Sequence, residues 1–79
     1  MNKRIVIAIK SALTQRENPD VLEFFIFPDK TEQFWKLCVI VKKEYEHLIP
    51  RIEGIGKSIG FFYGEGLNIR KENNYIIFE

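Results

Sequence analysis

The sequence predicts an α+β fold, a single small domain over residues 1–79 in which an antiparallel sheet of five to six strands carries one principal helix on one face. Three observations lead to this prediction. The chain of 79 residues is long enough for one domain. Short β-branched and aromatic runs alternate with turn residues, as in antiparallel sheets. One segment, at about residues 43–54, has apolar residues at helical spacing.

The first predicted strand is Lys3–Ile9, which is apolar and rich in β-branched residues. Residues 10–18 are ambiguous, because the apolar positions fit both a helical and a strand period: Ile5, Ile7, Ile9 and Leu13. We expect a long first strand that pairs with the second, with a helix as the alternative.

The second and third predicted strands, Asp20–Phe27 and Gln33–Val41, form a hairpin. An Asn-Pro-Asp turn sequence precedes the first of them, and a second turn sequence that begins Pro28-Asp29 separates the two.

The principal helix is predicted from apolar residues that follow the i, i+3, i+4, i+7 pattern: Tyr45, Leu48, Ile49, Ile52 and Ile55. We expect Leu48, Ile49 and Ile52 to supply core contacts. Pro50 removes one backbone hydrogen bond and should kink or split the helix. Gly54 is interpreted as its C-terminal cap.

All five glycines lie between residues 53 and 66, around the triplet Gly56-Lys57-Ser58. A phosphate-binding loop would need a glycine at position 51, which is Arg51, and it would open a helix rather than follow one. We therefore predict no nucleotide site. Gly54 and Gly56 are interpreted as the end of the helix and Gly60 as a bulge or packing point in a strand. The remaining strands are predicted at residues 57–63, 67–71 and 74–79.

The charge and the cysteine content restrict the class to which the protein can belong. Twelve Lys and Arg residues against eleven Asp and Glu give a net charge of +1, which predicts no strong attraction to nucleic acid or acidic membranes. The apolar run near the N-terminus stops at Lys10, too early for a secretory or membrane-spanning segment. The one cysteine, Cys38, excludes an internal disulfide and is interpreted as a small buried hydrophobe. We expect a cytoplasmic protein with no membrane partner.

Residues with catalytic or metal-binding chemistry are sparse. Glu44 and His47 have the Glu-x-x-His spacing of di-iron bundles, but that chemistry needs a second copy of the motif and further carboxylates. We predict no catalytic residue, no metal site and no cofactor. An enzyme would require His47 beside a carboxylate in a cleft, and it is the third hypothesis for function.

The hairpin strands are apolar on both faces. One face carries Phe25, Phe27, Phe34 and Ile40, interrupted by Glu23, Lys36 and Lys42. One helix covers only one face of a sheet, so these rings must be covered by the N-terminal segment, by curling of the sheet, by a second copy or by a partner. The predicted interaction surface comprises Phe25, Phe27, Phe34, Lys36, Ile40 and Lys42.

The sequence is therefore interpreted as a small non-catalytic protein–protein interaction protein. It would be an inhibitor, adaptor or regulatory subunit that docks on a larger protein or forms a homodimer. By analogy, the same features fit the short accessory and inhibitor proteins of viruses and mobile elements. The alternative is a nucleic-acid-binding module with a basic and aromatic sheet face that uses Lys36, Lys42, Lys43, Arg51 and Lys57.

Overall fold

Two helices pack on one face of a four-stranded antiparallel sheet in a computed structural model that describes residues 1–79. The helices are α1 (Lys3–Arg16) and α2 (Ile49–Phe62). The strands are β1 (Leu22–Pro28), β2 (Trp35–Val41), β3 (Ile69–Glu72) and β4 (Tyr75–Phe78), in the spatial order β1-β2-β4-β3. Short 3₁₀ helices at Pro19–Val21 and Lys43–Leu48 precede β1 and α2. The predicted α+β class is confirmed, but the sheet has four strands rather than five to six and carries two helices rather than one.

The N-terminal segment is helix α1, so the prediction of a first strand at Lys3–Ile9 is wrong. Asn2 caps this helix, since its Oδ1 accepts a hydrogen bond of 3.0 Å from the backbone N–H of Ile5. The buried residues form one stripe at helical spacing: Ile5, Val6, Ile9 and Leu13. Burial of this stripe outweighs the strand preference of its β-branched residues. Most of the ambiguous segment 10–18 continues the same helix.

Strands β1 and β2 form the predicted hairpin. Phe25 lies opposite Cys38, and Leu22 lies opposite Val41. The centre of the sheet is completed by the C-terminal strand β4, in which Phe78 pairs with Leu37 and Ile76 with Val39. The side chains of Leu37, Val39, Ile76 and Phe78 are fully buried under the helices.

Helix α2 begins and ends later than the predicted helix at residues 43–54. Pro50 lies in its first turn, where the missing N–H would have no intrahelical partner, so Pro50 starts the helix instead of kinking it. The predicted strand at 57–63 lies almost entirely within α2. Ile49 and Ile52 are buried and Leu48 packs against the core, which confirms the predicted core contacts.

The glycines inside α2 have a packing role, which corrects their interpretation as a helix end and a strand bulge. A methyl group at Gly56 would overlap the buried ring of Phe78. A methyl group at Gly60 would lie 2.8 Å from Cγ of Leu67. The two glycines therefore let α2 approach β4 and the following loop closely, which outweighs the low helix propensity of glycine.

Helix α2 ends in a Schellman motif. Gly64 adopts a positive φ of 74°, the backbone N–H of Glu65 donates to the carbonyl of Gly60 at 2.9 Å, and that of Gly64 donates to the carbonyl of Phe61 at 3.0 Å. This motif ends the helix at a defined residue and sets the direction in which the chain leaves it.

Helices α1 and α2 run antiparallel across the sheet. At one end Arg51 Nε lies 2.7 Å from Glu17 Oε1, and at the other the guanidinium of Arg4 lies 5.7 Å from the ring centre of Tyr63. Both helices cover the same face, so the opposite face of the sheet has no layer of the chain over it.

Candidate functional site

The face of the sheet turned away from the helices, here called the open face, is defined by the strand register. Its side chains form three cross-strand rows. The first row contains Glu23, Ile40, Tyr75 and Glu72, the second Phe25, Cys38, Ile77 and Arg70, and the third Phe27, Lys36 and the terminal Glu79. Side chains in one row touch across neighbouring strands, so the rows describe a continuous surface.

Six apolar side chains in these rows form what we call the apolar band. It crosses three strands and comprises Phe25, Phe27, Cys38, Ile40, Tyr75 and Ile77. Phe25 and Phe27 are 42% and 53% exposed, and the other four are half-buried among their neighbours. The band reaches the free edge of the sheet at β1. An apolar surface of this continuity on an open sheet face is typical of an interaction site.

The charges at one corner of the open face neutralise one another. The Glu79 carboxylate forms ion pairs with Arg70 and Lys36. Nε and Nη2 of Arg70 each lie 2.9 Å from Glu79 Oε1, and Lys36 Nζ lies 3.7 Å from Glu79 Oε2. Both cations of the three rows are therefore paired with the same carboxylate. Apart from Glu23 and Glu72 in the first row, which form no ion pair, the part of this surface without a partner is the apolar band.

Phe34 is held beside the open face by an ordered turn. The Asp29 carboxylate accepts hydrogen bonds from the backbone N–H groups of Gln33 at 3.0 Å and Phe34 at 3.2 Å, and from the Thr31 hydroxyl. Desolvation raises the pKa of Asp29, but the hydrogen bonds from Phe34, Thr31 and Gln33 outweigh it, so the pKa lies below the usual value. Phe34 itself remains 66% exposed.

A shallow hollow joins Phe34 to the apolar band. It measures about 460 Å³, and its lining includes Phe27, Phe34, Trp35 and Lys36. This surface offers apolar contacts at different depths, from the exposed ring of Phe34 through the apolar band to the hollow. A partner protein with protruding side chains could use contacts of all three kinds.

Cys38 lies in the middle row of the open face. The sequence interpretation as a buried hydrophobe needs correction, because the side chain is half-buried. Burial raises the pKa of the thiol, so it stays protonated at neutral pH and is a weak nucleophile. The residue contributes apolar surface to the band.

The structure brings together most of the predicted interaction surface. Phe25, Phe27, Lys36 and Ile40 share the open face, with Phe34 beside it. Lys42 follows the end of β2 and precedes the 3₁₀ helix, so it lies outside the three rows. Sequence reasoning missed the part of the surface that comes from the C-terminal hairpin: Arg70, Tyr75, Ile77 and Glu79. Their alternation was visible in the sequence, but the pairing of β4 with β2 was not.

The residues proposed for nucleic-acid binding do not form one patch. Lys36 lies on the open face, Lys42 and Lys43 follow β2, and Arg51 and Lys57 lie on α2 in the helix layer. Arg51 is ion-paired with Glu17 at 2.7 Å and Lys57 with Glu53 at 3.5 Å. The hydrogen bond from Lys71 holds the pKa of Glu53 below its usual value, and Lys57 adds to this effect.

The remaining candidate residues are isolated. His47 is exposed on the 3₁₀ helix, with its ring centre 6.1 Å from that of Tyr45. No three His, Cys, Asp or Glu side chains are grouped so that they could hold a metal ion. Neither helix has the length and apolar character needed to cross a bilayer.

Lys57 and Ser58 lie inside α2, where their backbone N–H groups belong to the helix and cannot wrap a phosphate. We expect Lys57→Ala to change the free energy of unfolding by less than about 1 kcal/mol, because its ion pair is exposed. Neither the parent nor the variant should bind ATP or GTP in calorimetric titration. Nucleotide binding by the parent that is lost in Lys57→Ala would contradict this expectation.

Comparison of the chain with models of protein families, with curated proteins and with solved structures gives no match. The fold and the open face define a class only in structural terms, a small α+β domain with an uncovered sheet face.

Proposed function

We propose that this protein is a non-catalytic interaction protein that docks its open face on a larger protein, as an inhibitor, adaptor or regulatory subunit. The observation that carries the proposal is the apolar band, which remains uncovered beside the exposed ring of Phe34. Full burial of an exposed Phe side chain contributes about 1.5–3 kcal/mol, and Phe25, Phe27 and Phe34 are 42%, 53% and 66% exposed, so association can gain roughly half of that value from each ring.

The turn that presents Phe34 supports binding by a preorganised surface. Asp29 already fixes the backbone of the turn through hydrogen bonds to Gln33 and Phe34. Less conformational entropy is then lost when a partner receives the ring, which favours affinity.

The size of the open face favours a larger partner over a second copy. Four strands about 4.8 Å apart and about five residues long outline roughly 300 Å². A stable interface buries about 800 Å² on each side. Two open faces of this projected size would form a small interface, whereas a larger protein could also enclose Phe34 and the β1 edge.

The nucleic-acid alternative has weaker support on this face. Its cations, Lys36 and Arg70, are already bound to Glu79, and two further carboxylates, Glu23 and Glu72, lie in the first row. A phosphate backbone would have to compete with Glu79 for both cations.

The proposal is tested with Phe27→Lys and Phe34→Lys in a pull-down from a lysate of the organism that encodes the protein, followed by binding measurements with the purified partner. Phe61→Lys is the matched control, because it makes the same change at an exposed ring in the helix layer. We expect each open-face variant to weaken partner binding at least about tenfold, since a cation replaces a buried ring. Circular dichroism should show that all three variants remain folded.

Equal retention of every captured protein by the parent and the open-face variants would contradict the proposal. If sedimentation instead shows a dimer of the parent that Phe27→Lys dissociates, the occupant is a second copy and the larger partner is excluded.

Cys38 provides an independent readout because it is the one cysteine of the chain and lies within the apolar band. Saturation with the purified partner should slow alkylation of Cys38 by iodoacetamide at least about tenfold, because the partner covers the half-buried thiol. Unchanged alkylation at saturation would locate the partner elsewhere on the molecule.

A further inference from the structure

The fold separates charges that nearly cancel over the whole chain. Helix α1 carries four cations and no anion, and α2 carries two cations and one anion. The rest of the chain carries six cations and ten anions. The two helical ranges therefore carry +5; with Glu17, which pairs with Arg51, and Glu65, which follows the end of α2, the helix layer has a net charge of +3, against −2 for the remainder. The net charge of +1 conceals this polarity, and an anionic surface would be attracted to the helix layer.

Two phenylalanines protrude from the same layer. Phe61 and Phe62 are 87% and 82% exposed at the end of α2, and they are the most exposed large apolar side chains of the chain. The Schellman motif at Gly64 fixes the turn that carries them. They are therefore displayed by ordered backbone, on the side of the domain away from the open face.

Cations and apolar surface adjoin these rings. The guanidinium of Arg4 lies 5.7 Å from the ring centre of Tyr63, which in turn packs edge-on against Phe62 at 5.3 Å. Lys57 lies one helical turn before Phe61; its ion pair with Glu53, at 3.5 Å, is solvent-exposed and therefore weak enough for an anionic headgroup to replace. A hollow of about 360 Å³ between the helices has a mainly apolar lining. It is lined by Arg16, Ser58 and Tyr63 and by the apolar side chains of Ala8, Ala12, Ile55, Ile59 and Phe62.

We propose that this helical patch, defined as Arg4, Arg16, Lys57, Phe61 and Phe62, binds the surface of an anionic lipid bilayer. Phe61 and Phe62 enter the boundary between headgroups and acyl chains, while the three cations contact anionic headgroups. This contact is peripheral and needs no membrane-spanning helix. It is independent of the docking proposed for the open face.

The lining of the hollow favours lipid over nucleic acid. The polar groups in its lining are the Arg16 guanidinium and the hydroxyls of Ser58 and Tyr63, so base edges would find few hydrogen-bonding groups there. Acyl chains require no such groups. Adjacent phenylalanines beside cations match the composition of interfacial membrane-binding surfaces.

The test is flotation of the intact chain with vesicles of phosphatidylcholine alone or with about 30% phosphatidylserine. We expect binding to the anionic vesicles, little binding to neutral ones, and loss of binding as salt rises from about 0.05 to about 0.5 M, because salt screens surface charges. No binding to anionic vesicles at low salt overturns the proposal.

Paired variants separate insertion from stacking. Phe61→Ala with Phe62→Ala should weaken vesicle binding at least about tenfold, because the inserted apolar surface is lost. Phe61→Leu with Phe62→Leu should stay within about threefold of the parent, since leucine also enters the acyl boundary. If the leucine pair loses vesicle binding as fully as the alanine pair while the parent binds single-stranded DNA, the rings act by stacking and the lipid proposal is wrong.

Charge variants test the role of position. Arg4→Gln with Lys57→Gln should weaken vesicle binding at least about tenfold, at roughly fivefold for each cation. Lys30→Gln with Lys43→Gln removes the same charge from outside the helix layer and should change binding less than about threefold. Equal losses in both pairs would mean that net charge alone causes binding and would overturn the assignment to this patch. Phe27→Lys should leave vesicle binding intact, which keeps this result separate from that of the open face.

Discussion

Phe78→Ala should lower the free energy of unfolding by about 3–5 kcal/mol, the largest effect we expect from a single substitution. The Phe78 side chain is fully buried at the centre of the domain, where β4 pairs with β2 and α2 crosses above. The close contact of the ring with Gly56 shows that helix backbone lies against it, so a cavity would form when the ring is removed. A domain of 79 residues has a total stability of about 4–12 kcal/mol, so this loss is a large fraction of it.

Urea denaturation followed by circular dichroism measures this loss, and Phe34→Ala is the control. It deletes the same ring from an exposed position and should change the free energy of unfolding by less than about 1 kcal/mol. If both variants unfolded at similar urea concentrations, Phe78 would not be the central core residue that the packing of α2 on β4 implies.

Gly56→Ala and Gly54→Ala should change stability in opposite directions. Both glycines lie inside α2, where alanine is the better helix former by about 0.5–1 kcal/mol. A methyl group at Gly54 meets open space, so that variant should gain about this amount. A methyl group at Gly56 would overlap the Phe78 ring, which is fully buried and cannot swing into solvent, so that variant should lose about 1–3 kcal/mol.

Thermal melting of the two variants tests this difference, and a third variant tests its cause. The third variant combines Phe78→Leu with Gly56→Ala. Its loss in free energy of unfolding should be smaller than the sum of the two single losses by about 0.5–3 kcal/mol, because the ring that overlaps the new methyl group is gone. Additive costs would show that the destabilisation arises elsewhere than at this contact.

The hairpin and the faces of its strands could be predicted from the sequence because their signals are local. Turn sequences bound β1 and β2, and alternation assigns Phe25 and Phe27 to the side opposite Phe24 and Ile26. The sequence could not show which strand lies beside β2. The contributions of Tyr75 and Ile77 to the apolar band therefore became visible only in the structure.

The helices were harder to predict because residue preference and packing conflict there. The β-branched run at the start of α1 favours a strand, and the glycines of α2 disfavour a helix. In both segments the decisive factor is tertiary: the stripe from Ile5 to Leu13 is buried, and Gly56 and Gly60 admit close neighbours. The local features that favour α1 are the helical spacing of Ile5, Ile9 and Leu13, which also fits a strand, and the cap formed by Asn2.

The position of β4 between β2 and β3 also governs when the domain can fold during synthesis. The hairpin of β1 and β2 involves neighbours in the chain and can form early, but the sheet centre must wait for Tyr75–Phe78, the last element of the domain to leave the ribosome. Until then the edge of β2 that pairs with β4 has no strand partner, so its backbone N–H and C=O groups are open to pairing with another chain. The interval between the synthesis of β2 and that of β4 is therefore the time at which the domain is most prone to aggregate.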